Sequence, residues 1–160
     1  MFASLEEARD HIEAHGILMV DFKFSDLWGR WHHLTIPENQ LTPTLMRAGV
    51  GFDGSAVGLK SVKAGDMVLV PDLSTAFADP FCDAPTLSFI CRTLEADTKV
   101  LFDNDPRNIA SCAEAFLVES GIADRSLWGP EFEFYVFDQV AYENEMNHAG
   151  YTVESSEAAW

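Results

Sequence analysis

The chain has 160 residues, of which 48% are hydrophobic, and a formal net charge of −16. The hydrophobic fraction is high enough to form a core, which argues against an intrinsically disordered chain. The negative charge repels phosphates and anionic lipids, so it argues against a protein that binds nucleic acid or a membrane surface. The three cysteines form no paired motif and suit a reducing compartment. The charged, amphipathic N-terminus has no apolar signal-peptide core, and we therefore expect a cytoplasmic protein without membrane-spanning segments.

The N-terminal part of the chain predicts a helix followed by a β-hairpin. Ser4 and Glu7 have the spacing of a capping box, and Gly16 is a typical helix stop. Residues 17–24 and 30–36 are strand-like, and the short polar segment between them predicts a turn. The two strands should therefore pair with each other.

A glycine-rich segment follows a short second helix. Thr42 and Pro43 suit an N-cap and a first helical residue, which predicts a helix ending near Ala48. Five glycines interrupt residues 49–66, so a long loop is predicted there. Loops of this length in compact domains are usually functional or disordered, and we expect this one to be exposed or poorly ordered.

The second half of the chain mixes strands and helices without a regular alternation. Residues 67–72 and 86–94 are predicted strands, and Asp105 is a predicted cap for a helix over residues 106–121. Residues 127–138 alternate and are rich in aromatics, which predicts a strand or hairpin, followed by a long polar loop to the end of the chain. This order favours an α+β fold with a small mixed sheet.

Glu131 and Glu133 are the sharpest candidates for chemistry. In a strand, two residues at this spacing point to the same face, roughly 6.5–7 Å apart. Like charges at that distance repel, and a hard divalent cation such as Mg²⁺ or Mn²⁺ would relieve the repulsion through carboxylate oxygens. Two solvated glutamates on an exposed strand face fit the same pattern, so both interpretations stay open.

Asp53 is the second candidate, within the segment FDGS. An Asp-Gly pair in a glycine-rich segment is a turn signature, and most such aspartates only cap turns. The segment lacks the GK[ST] ending of a phosphate-binding loop and the strand-to-helix context of a dinucleotide fingerprint. The residues alone therefore indicate a turn, with a functional carboxylate as the alternative.

Taken together, five segments resemble type I glutamine synthetases, in one order and from about residue 17 to the end of the chain. They read DFKFSDLWGRWHHLTIP, GVGFDGSAVG, DMVLVPDLSTAFADPF, DPRNIASCAE and GPEFEFYVFD. The resemblance implies a β-grasp N-terminal domain over residues 1–100, followed over residues 101–160 by the first helix and strand of a catalytic domain that is cut short here. It also implies that these 160 residues alone are inactive, because the family's later metal, ATP and glutamate ligands are absent.

The resemblance assigns roles to the candidate residues. Glu131 and Glu133 would bind Mg²⁺ or Mn²⁺, and Asp53 would bind ammonium and take its proton in the active site of a neighbouring subunit of a ring-shaped homo-oligomer. The implied reaction has two steps: ATP phosphorylates the side-chain carboxylate of glutamate, and ammonia then displaces the phosphate. Metal ions that neutralise the transferring phosphoryl group fit this chemistry.

One departure from the family pattern concerns the amine. The family commonly has FDGSS where this chain has FDGSA, so Ala56 replaces a hydroxyl near Asp53. Relatives within the family join glutamate to methylamine or polyamines, and this glutamate–amine ligase activity is the alternative to glutamate–ammonia ligation. A non-catalytic, structural family member is a third interpretation, and the retention of Asp53, Glu131 and Glu133 argues against it.

Overall fold

The computed structural model describes residues 1–160 and separates them into two units, Met1–Arg125 and Ser126–Trp160. The first unit holds three helices and six strands: α1 (Leu5–Ala14), β1 (Met19–Ser25), β2 (Trp31–Pro37), α2 (Pro43–Ala48), β3 (Val50–Asp53), β4 (Asp66–Pro71), β5 (Phe77–Ala78), β6 (Thr86–Glu95) and α3 (Pro106–Glu119). The second unit holds the strands β7 (Gln139–Asn144) and β8 (Ala149–Glu154). None of the helices has the length and hydrophobicity that crossing a lipid bilayer requires.

The first unit is organised by β6, its longest strand. The sheet order is β2-β1-β6-β4-β3, with β5 also paired to β6. The N-terminal half of β6 pairs in parallel with β1, and its C-terminal half pairs in antiparallel with β4. The predicted hairpin of β1 and β2 is confirmed. This mixed sheet with few helices confirms the α+β fold class.

The core of the first unit follows the alternation of its strands. Every second residue of β1 and β6 points to one face, where Val20, Phe22, Leu87 and Phe89 are almost completely buried. The helix α1 covers this core with Ala8 and Ile12. Burial of one such Phe or Leu side chain contributes about 1.5–3 kcal/mol, so this face is the main source of stability.

The helix starts are capped as the sequence predicts. Ser4 accepts a hydrogen bond from the Glu7 backbone N–H at 3.2 Å, and Thr42 accepts one from Leu45 at 3.2 Å. Asp105 caps α3 through Oδ1, while its Oδ2 accepts from the backbone N–H of Thr93 in β6 at 2.9 Å. This buried carboxylate therefore joins the helix start to the sheet.

Three sequence predictions are wrong. Residues 127–138 form no strand, and the strands of the second unit, β7 and β8, lie in the segment that was predicted to be a polar loop. Alternation makes a segment suitable for a strand, but a strand also needs a hydrogen-bonding neighbour, and β7 and β8 pair only with each other. Residues 49–66 are not one long loop, because they contain β3 and the 3-10 helices Gly54–Val57 and Val62–Ala64.

The division into domains at residue 100 stays a prediction.

Candidate functional site

Asp53 is the last residue of β3, where it lies opposite Asp66 of β4. Its Oδ1 accepts a hydrogen bond from the backbone N–H of Ser55 at 2.9 Å, which caps the 3-10 helix Gly54–Val57. The hydroxyl and the backbone N–H of Ser55 hold the pKa of Asp53 below its usual value. The turn-capping role predicted from the sequence is therefore confirmed, and the same contacts keep an exposed carboxylate ionised.

Residues 54–65 follow Asp53 and form the Asp53 segment, which is held in place by hydrogen bonds and an ion pair. The Gly54 N–H donates to the Gly65 carbonyl at 2.7 Å, and the Leu59 N–H donates to the Gly54 carbonyl at 2.9 Å. Further along, Lys60 forms a partly buried ion pair with Glu95 of β6. These contacts hold the segment next to Asp53, where the end of β3 pairs with the start of β4.

A cavity of about 370 Å³ opens beside Asp53 within the first unit. Its walls are mostly aromatic and aliphatic, and its lining comprises Phe24, Trp31, His32, His33, Leu34, Phe52, Asp53, Ala56 and Val57. A single carboxylate at the wall of an aromatic cavity can bind a small cation, both by charge and through the ring faces. This arrangement suits an ammonium ion or an amine better than an anion.

His32 fixes one wall of this cavity. Its Nε2 lies 2.8 Å from Oδ2 of the buried Asp26, and its ring lies 5.4 Å from that of Phe24. The hydrogen bond with His32, together with those from Arg30 and Trp28, lowers the pKa of Asp26. The next residue, His33, instead contacts Asp21, with 2.8 Å between Nδ1 and Oδ1.

The wall-forming role of His32 was not predicted. Its only signal in the sequence was its register position opposite Phe24 in the hairpin.

Glu131 and Glu133 lie in the second unit, outside any strand, and both are exposed. They were predicted to share one face of a strand, and the structure does not form that strand because residues 127–138 have no pairing partner. Their neighbours Phe132 and Phe134 are 89% and 81% exposed. These aromatic side chains therefore contact no core in these 160 residues.

The fit of this pair to a divalent cation is only partial. Carboxylate oxygens are suitable donors for Mg²⁺ or Mn²⁺. However, no group of three His, Cys, Asp or Glu residues in the chain is placed to hold a metal ion. Two carboxylates make an incomplete ligand set for such an ion. Asp53 and the glutamate pair also belong to different units.

Comparison with known proteins supports the sequence resemblance. A family model described as "Glutamine synthetase, beta-Grasp domain" matches residues 16–96. The chain is 41% identical over 156 residues to a glutamine synthetase of Aquifex aeolicus, which covers 97% of this chain and 33% of that protein. It is 37% identical over 161 residues to a protein of Cupriavidus pinatubonensis named 3-hydroxylaminophenol mutase, which covers 100% of this chain and 34% of that one.

A solved structure shows the same fold. The cryo-EM structure of Plasmodium falciparum glutamine synthetase matches with a TM-score of 0.73 and 21% identity, covering 98% of this chain and 30% of that one. The chain thus spans about a third of the length of the curated relatives it matches. The β-grasp match extends over half of the chain and the sequence identity over nearly all of it, and on this basis the chain belongs to the glutamine synthetase family.

Proposed function

We propose that this chain is the N-terminal portion of a cytoplasmic, ATP-dependent glutamate–ammonia ligase. The observation that carries the proposal is the ionised carboxylate of Asp53, fixed at the wall of an aromatic cavity in a chain of this family. The substrates would be ATP, glutamate and ammonium. The 160 residues alone would not catalyse the reaction, because Asp53 and the glutamate pair form an incomplete set of catalytic and metal-binding groups.

Asp53 would act first as a binding group for ammonium. Its low pKa keeps the carboxylate negative, which favours a cation next to it. The carboxylate then accepts one proton from ammonium and leaves neutral ammonia, which attacks the γ-carbonyl of γ-glutamyl phosphate and displaces phosphate. A weakly basic carboxylate is adequate for this transfer because the attack consumes the ammonia.

Glu131 and Glu133 would bind Mg²⁺ or Mn²⁺ together with the phosphates of ATP and further side chains. A magnesium site commonly combines one or two protein carboxylates with substrate phosphates. The exposure of both glutamates leaves their oxygens available for such a shared site.

We further propose a ring-shaped homo-oligomer in which the Asp53 segment of one subunit completes the site of its neighbour. The exposed position of Asp53 at the end of β3 is compatible with a contribution to another subunit.

The proposal is tested by kinetics of the complete protein with Asp53→Asn. Phosphate release is measured while ammonium and ATP are varied separately. We expect the KM for ammonium to rise roughly ten- to hundredfold, with a much smaller change for ATP, because only the cation contacts Asp53. Asp103→Asn is the matched control, since Asp103 is another exposed aspartate of the same unit. Equal losses for both substrates would show that Asp53 serves the fold instead.

Ala56 favours a second candidate, a glutamate–amine ligase. It lines the cavity beside Asp53 and offers a methyl group where a hydroxyl would restrict the space and add a hydrogen bond. The same assay with methylamine or a polyamine in place of ammonium separates the two candidates. A higher kcat/KM with the amine, reversed toward ammonium by Ala56→Ser, would establish the amine ligase.

A further inference from the structure

Gly65 is a buried glycine that its backbone conformation does not require. Its φ is −75° and its ψ is −18°, which any residue adopts. Gly58, by contrast, has a φ of 75° and lies in the left-handed region that favours glycine. The reason for a glycine at position 65 must therefore be the space around it.

That space is filled by the Asp53 carboxylate. A Cβ added to Gly65 would overlap Oδ1 of Asp53 and would lie 3.3 Å from its Cγ. This is the same oxygen that accepts the backbone N–H of Ser55. The Cβ would also lie 3.4 Å from Cβ of Ser55. The carboxylate can keep its hydrogen bond with Ser55 because position 65 has no side chain.

Gly65 also fixes the start of the Asp53 segment through its carbonyl, which accepts the N–H of Gly54 at 2.7 Å. We propose that Gly65 is a positioning residue for Asp53: its missing side chain and its carbonyl together hold the carboxylate in the orientation used for ammonium. The seating of the carboxylate stands on geometry alone, while its consequence for catalysis rests on the proposed function.

Two other glycines near Asp53 have different surroundings and show that the role proposed for Gly65 is not shared by every glycine in this region. A Cβ on Gly54 would overlap Sδ of Met67 and lie 3.0 Å from its Cγ. Met67 is a core residue, so Gly54 serves the fold. A Cβ on Gly51 would meet nothing within 4 Å. Gly51→Ala is therefore a matched control, two residues from Asp53 in the same strand.

The test combines Gly65→Ala with two readouts. In the 160-residue chain, the pKa of the Asp53 carboxyl, followed by its ¹³C chemical shift, should rise toward the usual value because the displaced carboxylate loses Ser55. In the complete protein, the KM for ammonium should rise roughly tenfold or more while that for ATP changes little. Gly51→Ala should change neither quantity. An unchanged pKa of Asp53 in Gly65→Ala would overturn the proposal.

A double-mutant cycle covers the case in which Gly65→Ala unfolds the protein. In an Asp53→Ala background the new methyl group meets no carboxylate, so Gly65→Ala should then cost little stability. Equal destabilisation in both backgrounds would overturn the proposal, because Gly65 would then serve another contact. If the pKa of Asp53 shifts but neither Gly65→Ala nor Asp53→Asn changes the KM for ammonium, the positioning role stands and the proposed function fails.

Discussion

The two units of the chain differ in how their aromatic residues are used. In Met1–Arg125, Phe22 and Phe89 are completely buried and lie on neighbouring strands of one sheet. In Ser126–Trp160, no residue is buried, and Phe132 and Phe134 are 89% and 81% exposed. Both stretches alternate in sequence, so the difference lies in whether a neighbouring strand is present to pair with them.

This difference separates two kinds of candidate site. Asp53 is supported by hydrogen bonds and packing inside its own unit, so its geometry is defined by the residues present. Glu131 and Glu133 have no such support, because they lie outside any helix or strand and are exposed. The first site can be tested in this chain, whereas the second needs the complete protein.

We expect the greatest loss of turnover from a substitution in the glutamate pair, Glu131 and Glu133. In the complete protein, Glu133→Ala should reduce turnover at least about a thousandfold if the proposed metal site is right, because that site would lose one of its carboxylates. Its unfolding midpoint should hardly change, since Glu133 packs against no core in this chain.

Glu145→Ala, a change of another exposed glutamate in the same unit, is the control and should keep full turnover. Activity of Glu133→Ala close to that of the control would remove Glu133 from the proposed site.

The difference in burial between the two units also predicts a difference in how much each Phe contributes to stability. Phe89→Ala should lower the free energy of unfolding of the 160-residue chain by about 3–5 kcal/mol, because it leaves a cavity in the core. Phe134→Ala should change it by less than about 0.5 kcal/mol, as is usual for exposed positions. Urea unfolding followed by circular dichroism measures both, and similar losses for the two variants would contradict the comparison.

The smallest effect concerns acid stability of the first unit. Asp79 accepts from Lys23 at 2.7 Å, and this contact, with the N–H of Phe81, lowers the pKa of Asp79. A lowered pKa in the folded state contributes stability above the unfolded pKa of about 4, and this stability is lost as the pH falls through the folded value.

Asp79→Asn should therefore reduce the loss of stability below about pH 4 in urea titrations. Asp103→Asn, which removes the negative charge of an exposed aspartate in the same unit, is the matched control. A profile of Asp79→Asn identical to that of the unmodified chain would show that the Lys23 contact does not contribute.

Local signals in the sequence predicted most of the first unit. Ser4, Thr42 and Asp105 were identified as caps because their side chains satisfy N–H groups within a few residues, which is information that the sequence contains directly. The strand expected over residues 127–138 failed because pairing depends on a partner that alternation does not specify. The same limit explains why β7 and β8 were missed.

At Asp53 the sequence predicted the turn but not the surroundings. The turn signature indicated a capping aspartate, and the structure shows that its partner is the backbone N–H of Ser55. The position of His32 depends on β2 and β3 lining one cavity, although they are the two outer strands of the sheet order. The role proposed for Gly65 depends on the pairing of β3 with β4. Both are contacts between residues distant in sequence, which the sequence pattern alone does not fix.

In the proposed ring, Asp53 of one subunit and the glutamate pair of another form one site. Complementation tests it most directly: the complete proteins with Asp53→Ala and with Glu133→Ala are co-assembled in equal amounts, and phosphate release is measured at limiting ammonium. If sites form between subunits of a ring, roughly a quarter of all sites in a random mixture combine an intact Asp53 with an intact Glu133, and turnover should recover accordingly. A mixture no more active than the two separate variants would contradict the claim.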